Sequence, residues 1–422
     1  MKNTPGTGLE ISYGGQILQT DTNSCKKAGT QAFASGNYND ALNNFKLSLQ
    51  KNPNDPETLI YFNNVKARQT SNSLKIAVSV PIGTNPNVAG EILRGVAQAQ
   101  DEVNKSSNIN GKLLEVAIAN DDNDSSKAQN IARQFVNDKT ILAVVGHNAS
   151  EAAVPAAFVY KSEKLVMLSP TSFDQRLSGL SNYIFRTVNT NNLARSLSDY
   201  IIKTATKTNI VICVDPESAD NRWLADEFSK AIEQPNYKIN PTPCNLSDPA
   251  FDPNTMISKA ITSQANGLFL APYIDRINKG LEVARASKGR LQLFSSPTMY
   301  TQQTLANGKA DVNGMILAVP WHPQAISGNP FPQNAQKLWG GPVNWRTATA
   351  YDATIVIAKG LQQTKTSEEL QKVLHSPSFS VDGATGNIQF SQSGDRINNE
   401  IFLVKVQQKA GTDKYEFVPI QP

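Results

Sequence analysis

The chain has 422 residues, of which 39% are apolar and 18% charged, and its formal net charge is +4. Since that length exceeds the size at which one hydrophobic core usually stops growing, two or three domains are expected. No apolar run reaches the roughly 18 residues that span a bilayer, so no membrane helix is predicted. The Lys and Arg residues are scattered, which argues against nucleic acid as a partner.

The start of the chain and its cysteines carry little functional signal. Residues 1–23 lack a basic region followed by an apolar core, so they are expected to form an irregular segment without a signal peptide. Cys25, Cys213 and Cys244 form no metal-binding spacing and cannot all pair within the chain. Buried or unreactive thiols are therefore favoured over a disulfide.

Residues 24–70 follow a helical period. The small residues Gly29, Ala41 and Ser48 are spaced around the aromatic Phe45 so that two short helices could pack against each other. This spacing resembles one tetratricopeptide repeat unit, and one further helix follows it. Because a lone unit cannot bury its own face, the segment is expected either to cap the next domain or another copy of the chain, or to dock a protein partner.

Strand and helix patterns alternate from Leu74 onwards. Apolar runs such as LKIAVSVPI and ILAVVG are separated by amphipathic stretches such as GEILRGVAQAQDEVNK, and the same rhythm restarts at Asn192. Strands that alternate with helices of about 10 to 15 residues indicate crossover units and a parallel sheet covered on both faces. The sequence therefore predicts two α/β lobes.

Six motifs follow one another in this part of the chain. In chain order they are PIGTNPNVAGEILRGVAQAQDEVN, VVGHNASEAAVPA, LVMLSPTSFDQRLS, NYIFRTVNTNNLA, AYDATIVIAKGL and GATGNIQFSQSGD. In this order and spacing they resemble type I periplasmic solute-binding proteins, the branched-chain amino acid receptor family of ABC importers. The resemblance implies an α/β fold with two Rossmann-like lobes and a ligand cleft between them, preceded here by a short α-helical hairpin. It places lobe 1 at 74–190 and 318–390, and lobe 2 at 191–317 and 391–422.

The loop GHNAS, residues 146–150, lies between an apolar strand and a helix. In a doubly wound sheet this is where ligands bind, and the helix N-terminus with the hydroxyl of Ser150 at its cap position could hold a carboxylate. Asn148 shares the loop, and Ser150 matches the carboxylate-binding serine that the resemblance implies. His147 is expected to be a hydrogen-bonded structural residue beneath the loop, because no GxSxG elbow, orienting carboxylate or oxyanion loop accompanies it.

Other lobe 1 candidates follow the neighbouring strands. Thr171 and Ser172 keep hydroxyls in the loop SPTSFDQ, which should face the same cleft, whereas Phe173 replaces a threonine that is usual in the family. Phe173 is expected either to form an aromatic wall of the site or to turn into the core of the lobe. Asn85, after the first strand, could donate a hydrogen bond to a ligand or simply form a turn.

The resemblance weakens in lobe 2. Asp220 takes the place of the family's aromatic contact, Thr298 that of its ammonium-binding glutamate, and Tyr273 keeps an aromatic match. Since a buried ammonium needs a carboxylate or several carbonyls, Asp220 could supply that charge; alternatively, it only caps the helix that follows. Trp321, near the predicted second crossing, could cover a ligand or pack the hinge.

The sequence also argues against a metal site, an enzyme and a DNA-binding repressor. Asp121, Asp122 and Asp124 lack calcium-loop spacing, so a turn and a helix cap are favoured over a metal site. An enzyme on this scaffold would lack a dinucleotide fingerprint and a phosphate loop. A DNA-binding repressor would carry a helix-turn-helix before lobe 1, which residues 25–68 do not resemble.

These features predict a receptor and not an enzyme. The expected function is an extracytoplasmic solute-binding receptor of an ABC-type importer. It captures a small polar solute by closure of two lobes, and an amino acid is the favoured solute. A membrane permease is the expected partner, without cofactor, metal or nucleic acid. The alternative is a ligand-sensing regulatory module that signals to a protein partner through residues 24–70. A periplasmic or extracytoplasmic location follows, with any tethering segment upstream of the given sequence.

Overall fold

The computed structural model describes residues 11–70, 72–106, 109–188, 192–398 and 400–420. The first ten residues of the segment 1–23 lie outside these ranges. The strands are β1 Ile11–Ser12, β2 Ser73–Val80, β3 Leu113–Asn120, β4 Ile141–Val145, β5 Val166–Ser169, β6 Ile184–Arg186, β7 Asn209–Val214, β8 Lys238–Ile239, β9 Gly267–Ala271, β10 Gln292–Ser295, β11 Ile316–Val319, β12 Val381–Gly383, β13 Gly386–Ile388, β14 Phe402–Gln408 and β15 Tyr415–Ile420.

The helices alternate with these strands over most of the chain. They are α1 Ser24–Ala34, α2 Tyr38–Lys51, α3 Pro56–Thr70, α4 Pro86–Ser106, α5 Ser125–Asn137, α6 Ser150–Glu163, α7 Leu193–Tyr200, α8 Ala219–Ile232, α9 Pro253–Thr262, α10 Ile277–Ser287, α11 Gln302–Gly308, α12 Phe331–Trp339, α13 Trp345–Leu361 and α14 Ser367–Leu374. Within the described ranges, none of them has the length and apolar character needed to cross a membrane.

Contacts divide the chain into two compact units. Unit 1 comprises Met1–Asn189 and Gly328–Asn399, and unit 2 comprises Thr190–Ser327 and Glu400–Pro422. The expected second segment of lobe 1, 318–390, starts too early, because β11 is hydrogen-bonded to β10 and β14 within the sheet of unit 2. It also ends too early, because Asp395 still forms a bridge with Arg186 in unit 1.

Unit 1 is built on a six-stranded sheet with the order β1-β3-β2-β4-β5-β6. β2 to β6 run parallel, and β1 joins the edge antiparallel to β3. Residues of α5 and α6 pack in one apolar cluster with alternate residues of the strands, such as Ala77 and Val144, while α4 packs on β2 and β3. The strand order reverses between β2 and β4, which is the position where α/β sheets bind ligands.

A seven-stranded sheet with the order β15-β14-β11-β10-β9-β7-β8 forms the centre of unit 2. The five strands β11, β10, β9, β7 and β8 run parallel to one another. β14 pairs antiparallel with β11, and β15 pairs antiparallel with β14. Here the order reverses between β7 and β9. Each unit therefore has one reversal point, and each reversal point is flanked by loops that contain the candidate residues.

The N-terminal helices form one layer, in which α1 and α2 make the predicted hairpin and the further helix α3 packs on α4 and β3 of unit 1. Lys26 on α1 is fully buried and forms ion pairs with Asp55 (2.9 Å) and Glu57 (2.7 Å). Burial disfavours the charged amine, yet the two carboxylates raise the pKa of Lys26 above its ordinary value. On α3, Asn64 Nδ2 donates to the Val116 carbonyl of β3 (2.7 Å). The layer is thus tied to the sheet by buried polar contacts.

Unit 2 contains a disulfide between Cys213 and Cys244, whose Cα atoms lie 4.6 Å apart. The expectation of unpaired thiols is therefore wrong for these two residues, and Cys25 is the free cysteine. Cys213 lies in β7, and the chain returns beside it, because the Val214 N–H donates to the Cys244 carbonyl (3.2 Å). The 31-residue separation contains α8 and β8, so no local spacing could indicate the pair.

Candidate functional site

The candidate residues of unit 1 lie in the loops that follow β2, β4 and β5. These strands are neighbours in the sheet and run parallel, so their carboxyl ends meet at one edge, beside the reversal point. The loops carry Asn85, Asn148, Ser150, Thr171, Ser172 and Phe173. All six side chains are buried.

Ser150 and Ser172 form a hydroxyl pair. Their Oγ atoms are hydrogen-bonded to each other, and both residues are fully buried. Ser150 is the first residue of α6, while the cap position belongs to Ala149, whose side chain makes no cap hydrogen bond. The expected cap position of Ser150 is thus wrong by one residue. Within the pair one hydroxyl donates its proton to the other, and both could donate to an anion only if the anion replaced that bond.

His147 is buried beneath these loops and makes two side-chain contacts. Its Nδ1 lies 2.6 Å from Asp121 Oδ2 and its Nε2 lies 3.1 Å from the Tyr160 hydroxyl. The structural role expected for His147 is confirmed, but the expectation that no carboxylate orients it is wrong. Burial, with the charge of Asp121, raises the pKa of Tyr160 well above its ordinary value. Since both ring nitrogens are engaged, neither is left to activate a serine.

Several of the residues predicted to bind the solute make hydrogen bonds within the protein. Thr171 Oγ1 donates to the Asn148 carbonyl (2.8 Å), and Asn148 Nδ2 donates to Asn123 Oδ1 (3.2 Å). Asn85 Oδ1 accepts from the Val88 N–H (3.2 Å) in the first turn of α4. The first two bonds join separate loops and the third belongs to the start of α4. A direct contact of Asn85, Asn148 or Thr171 with a solute stays a prediction.

Phe173 stacks on Trp345, the first residue of α13. The ring centroids are 5.8 Å apart with an angle of 24° between the planes, and the two residues are 4% and 2% exposed. The Arg346 Cζ lies 4.6 Å from the centroid of the Trp345 ring, and Arg346 Nη1 lies 3.3 Å from Glu91 Oε2. Trp345 lies in none of the motifs that predicted the site, and only the folded chain brings it to Phe173.

In unit 2, the four predicted residues follow four neighbouring parallel strands. Asp220, Tyr273, Thr298 and Trp321 come after β7, β9, β10 and β11, respectively. They therefore lie at the carboxyl edge of the sheet, on both sides of its reversal point. Trp321 is fully buried, whereas Asp220 and Tyr273 are half-buried.

Asn221 joins three of these strand ends and was missed by the sequence analysis. Its Oδ1 accepts from Thr298 Oγ1 (3.3 Å), and its Nδ2 donates to the Pro272 carbonyl (2.9 Å). The helix cap is Ser218, whose Oγ accepts from the Asn221 N–H (3.3 Å). The alternative that Asp220 caps α8 is therefore wrong, and Asp220 lies in the first turn.

Two other acids near the end of β7 are already paired with a cation. Asp215 is buried, and its Oδ2 lies 2.9 Å from Arg276 Nη1. The Arg276 guanidinium also contacts the Glu217 carboxylate. The single positive charge of Arg276 therefore compensates part of the combined charge of Asp215 and Glu217.

The acidic turn after β3 is held by ordinary turn contacts. Asp124 is the N-cap of α5 and accepts from the Lys127 N–H (2.7 Å), while Asp122 Oδ1 accepts from the Gly83 N–H (2.8 Å). The turn and cap interpretation is confirmed. Across the ranges that the structure describes, no group of three or more His, Cys, Asp and Glu side chains could hold a metal ion.

Comparison with known proteins decides the family. The sequence model of the periplasmic binding protein family matches residues 73–412. The chain belongs to this family. The leucine-, isoleucine-, valine-, threonine- and alanine-binding protein of Pseudomonas aeruginosa is 25% identical over 350 residues, which are 81% of this chain and 92% of that protein. The Leu/Ile/Val-binding protein of Escherichia coli is 22% identical over 308 residues, 71% of this chain and 82% of the relative.

Solved structures of periplasmic binding proteins share the fold. The leucine-binding protein of Thermotoga maritima has a TM-score of 0.73 at 18% identity, covering 83% of this chain and 99% of its own. A solute-binding protein from Rhodopseudomonas palustris, in complex with benzoate, has a TM-score of 0.70 at 15% identity, covering 82% and 96%. The predicted α/β fold of a type I periplasmic binding protein is confirmed.

Family membership also separates receptor from enzyme. The periplasmic binding protein family consists of non-enzymatic solute-binding receptors of ABC transporters, so this chain is a solute-binding protein and not an enzyme. The family match begins at residue 73, after the N-terminal helices. The tetratricopeptide resemblance of residues 24–70 therefore stays a prediction.

Proposed function

We propose that this protein is the extracytoplasmic receptor of an ABC-type importer and captures one small polar solute by closure of two lobes. An amino acid is the favoured solute. The observation that carries the proposal is the buried Ser150–Ser172 hydroxyl pair at the N-terminus of α6. A helix N-terminus favours a carboxylate, and a carboxylate that replaced the bond between the two hydroxyls would accept from both of them, with no catalytic group needed to hold it.

An amino acid also needs a partner for its ammonium group. We assign this role to Asp220, whose place in the first turn of α8 favours the ionised carboxylate. Tyr273 and Trp321 would contact the side chain of the solute from unit 2. The names of the relatives support an amino acid, whereas the benzoate-bound neighbour supports keeping aromatic acids as candidates.

Closure would couple recognition to transport. Each unit carries part of the candidate site at its own sheet edge, so a solute that fits both parts gains contacts only when the lobes close. A membrane permease would then recognise the closed, loaded form. The solute changes the equilibrium between open and closed forms only by its difference in affinity for the two.

The proposed location is outside the cytoplasmic membrane. The Cys213–Cys244 disulfide supports it, because such bonds persist in oxidising compartments. The packing of α1–α3 on unit 1 supports a capping role for residues 24–70.

A thermal-shift screen against the twenty L-amino acids, small amides, urea and benzoate tests the proposal. A solute at about 100 times its dissociation constant stabilises the folded state by roughly 2.7 kcal/mol, which moves a melting transition by several degrees. We expect a few amino acids to produce this shift, and Ser150→Ala to abolish it.

The matched control is Ser162→Ala, at an exposed position near the other end of the same helix. It should leave the shift intact. No shift with any compound, in protein that carries no co-purified solute, would contradict the proposal.

A further inference from the structure

Trp345 has a buried hydrogen-bond donor that the protein does not use. Within the described part of the chain, the Trp345 Nε1–H has no hydrogen-bond partner, although the residue is 2% exposed. An indole N–H can only donate, and leaving a buried donor unsatisfied lowers the stability of the folded protein. Buried tryptophans normally find an acceptor, so this N–H requires an explanation.

The indole lies against the candidate site. Its ring stacks on Phe173, which directly follows Ser172 of the hydroxyl pair. On α13, the neighbouring Arg346 guanidinium lies over the same ring and is itself held by Glu91. The ring is therefore fixed by an aromatic contact and a cation contact, and neither of these contacts uses its N–H.

We propose that Trp345 is a solute-binding residue, and that its Nε1–H donates a hydrogen bond to an oxygen of the bound solute. The inference rests on the proposed receptor function and adds a residue that determines specificity. The oxygen would belong to a carboxylate, carbonyl or hydroxyl group, since an ammonium at this point would meet a donor and the Arg346 cation. Phe173 would then contact an apolar or planar part of the same solute.

Trp339 provides a matched control in the same unit. It is also buried, but its Nε1–H donates to Gln98 Oε1 (3.2 Å). The conservative change to phenylalanine keeps an aromatic ring at either position and removes only the N–H and part of the indole. The two variants should therefore differ in their effects on both stability and binding.

The experiment measures melting temperature and solute affinity for Trp345→Phe, Trp339→Phe and Ser150→Ala, using titrations with the twenty L-amino acids and benzoate. We expect Trp345→Phe to leave the melting temperature of the solute-free protein unchanged or higher, and to weaken binding about tenfold. Trp339→Phe should lower the melting temperature and leave the affinity unchanged.

The outcomes separate this inference from the proposed function. If Ser150→Ala weakens binding but Trp345→Phe does not, the receptor function stands and the role of Trp345 is wrong. If none of the probes binds the wild-type protein, both fall. A loss of melting temperature in Trp345→Phe equal to that in Trp339→Phe, without a change in affinity, would mark Trp345 as structural only.

Discussion

Ser150 and Ser172 meet because they follow adjacent parallel strands. The loops after β4 and β5 leave the sheet at the same edge, and the register Val145 to Leu168 keeps the two strand ends level. The hydroxyls therefore come together near the start of α6, where the helix dipole is positive. An anion that replaced the bond between the two hydroxyls would accept from uncharged donors, so the buried site would not require a buried cation.

At the same scale, Asp352 is a buried acid with an altered pKa. It accepts hydrogen bonds from the Ala384 N–H (2.6 Å) and the Thr385 N–H (3.2 Å), and its Oδ2 lies 3.9 Å from Arg396 Nη1. Burial raises the pKa of Asp352 to about 6, although Arg396 and the hydrogen bonds oppose the shift. The folded protein therefore binds this proton at a higher pH than the unfolded chain does.

This pKa predicts a stability change with pH. The contribution of Asp352 is fully present below its unfolded pKa and is lost as the pH rises through about 6. Between pH 7 and pH 4.5, wild-type protein should gain roughly 2 kcal/mol relative to Asp352→Asn. Urea unfolding at both pH values measures it, with Asp382→Asn, an exposed position in β12, as control. An equal pH dependence of wild type and Asp352→Asn would disprove the pKa assignment.

At the scale of elements, the N-terminal helices are expected to stabilise the folded protein although they lie outside the part of the chain that matches the family. α1 lies before the family match, yet its Lys26 is buried against the carboxylates of Asp55 and Glu57 at the start of α3. Glu57 Oε1 also accepts from the Leu18 N–H (2.6 Å) and from the Tyr61 hydroxyl (2.9 Å). Lys26 is therefore the cation for two buried carboxylates, and through Glu57 this cluster connects the segment before α1 with α3.

We expect Lys26→Met to destabilise the protein by about 3 to 5 kcal/mol, because it leaves two buried carboxylates without their cation. Lys27→Met, at the exposed neighbouring position, should change the free energy of unfolding by less than about 0.5 kcal/mol. Denaturant unfolding of both variants gives the comparison. Equal midpoints for the two would show that the helical layer does not stabilise unit 1.

The order of elements and the loops of the site could be predicted from sequence, because both depend on local patterns. Apolar runs separated by amphipathic stretches identified most strands, and Ser150, Ser172 and Phe173 follow such runs directly. Trp345, Asn221 and the partner of Cys213 could not be predicted, since each depends on contacts between segments far apart in sequence. The Asp121–His147 contact was missed for the same reason.

For the whole molecule, the family explains the two reversal points. Each unit has its own parallel sheet, and each places its candidate residues at the carboxyl edge beside the reversal. The lobe 1 residues include paired hydroxyls, while the lobe 2 residues include Asp220 and aromatic groups. Taken separately, the hydroxyl pair of unit 1 suits an anion, and Asp220 of unit 2 suits a cation.

The most direct test of the receptor function is calorimetric titration of the whole protein. The chain is first unfolded in guanidinium chloride with its disulfide intact and refolded, which removes any bound solute, and is then titrated with the amino acid that gives the largest thermal shift. We expect one binding event per chain and complete recovery of unchanged amino acid after prolonged incubation. Chemical consumption of the amino acid, or the absence of saturable binding by the refolded protein, would contradict it.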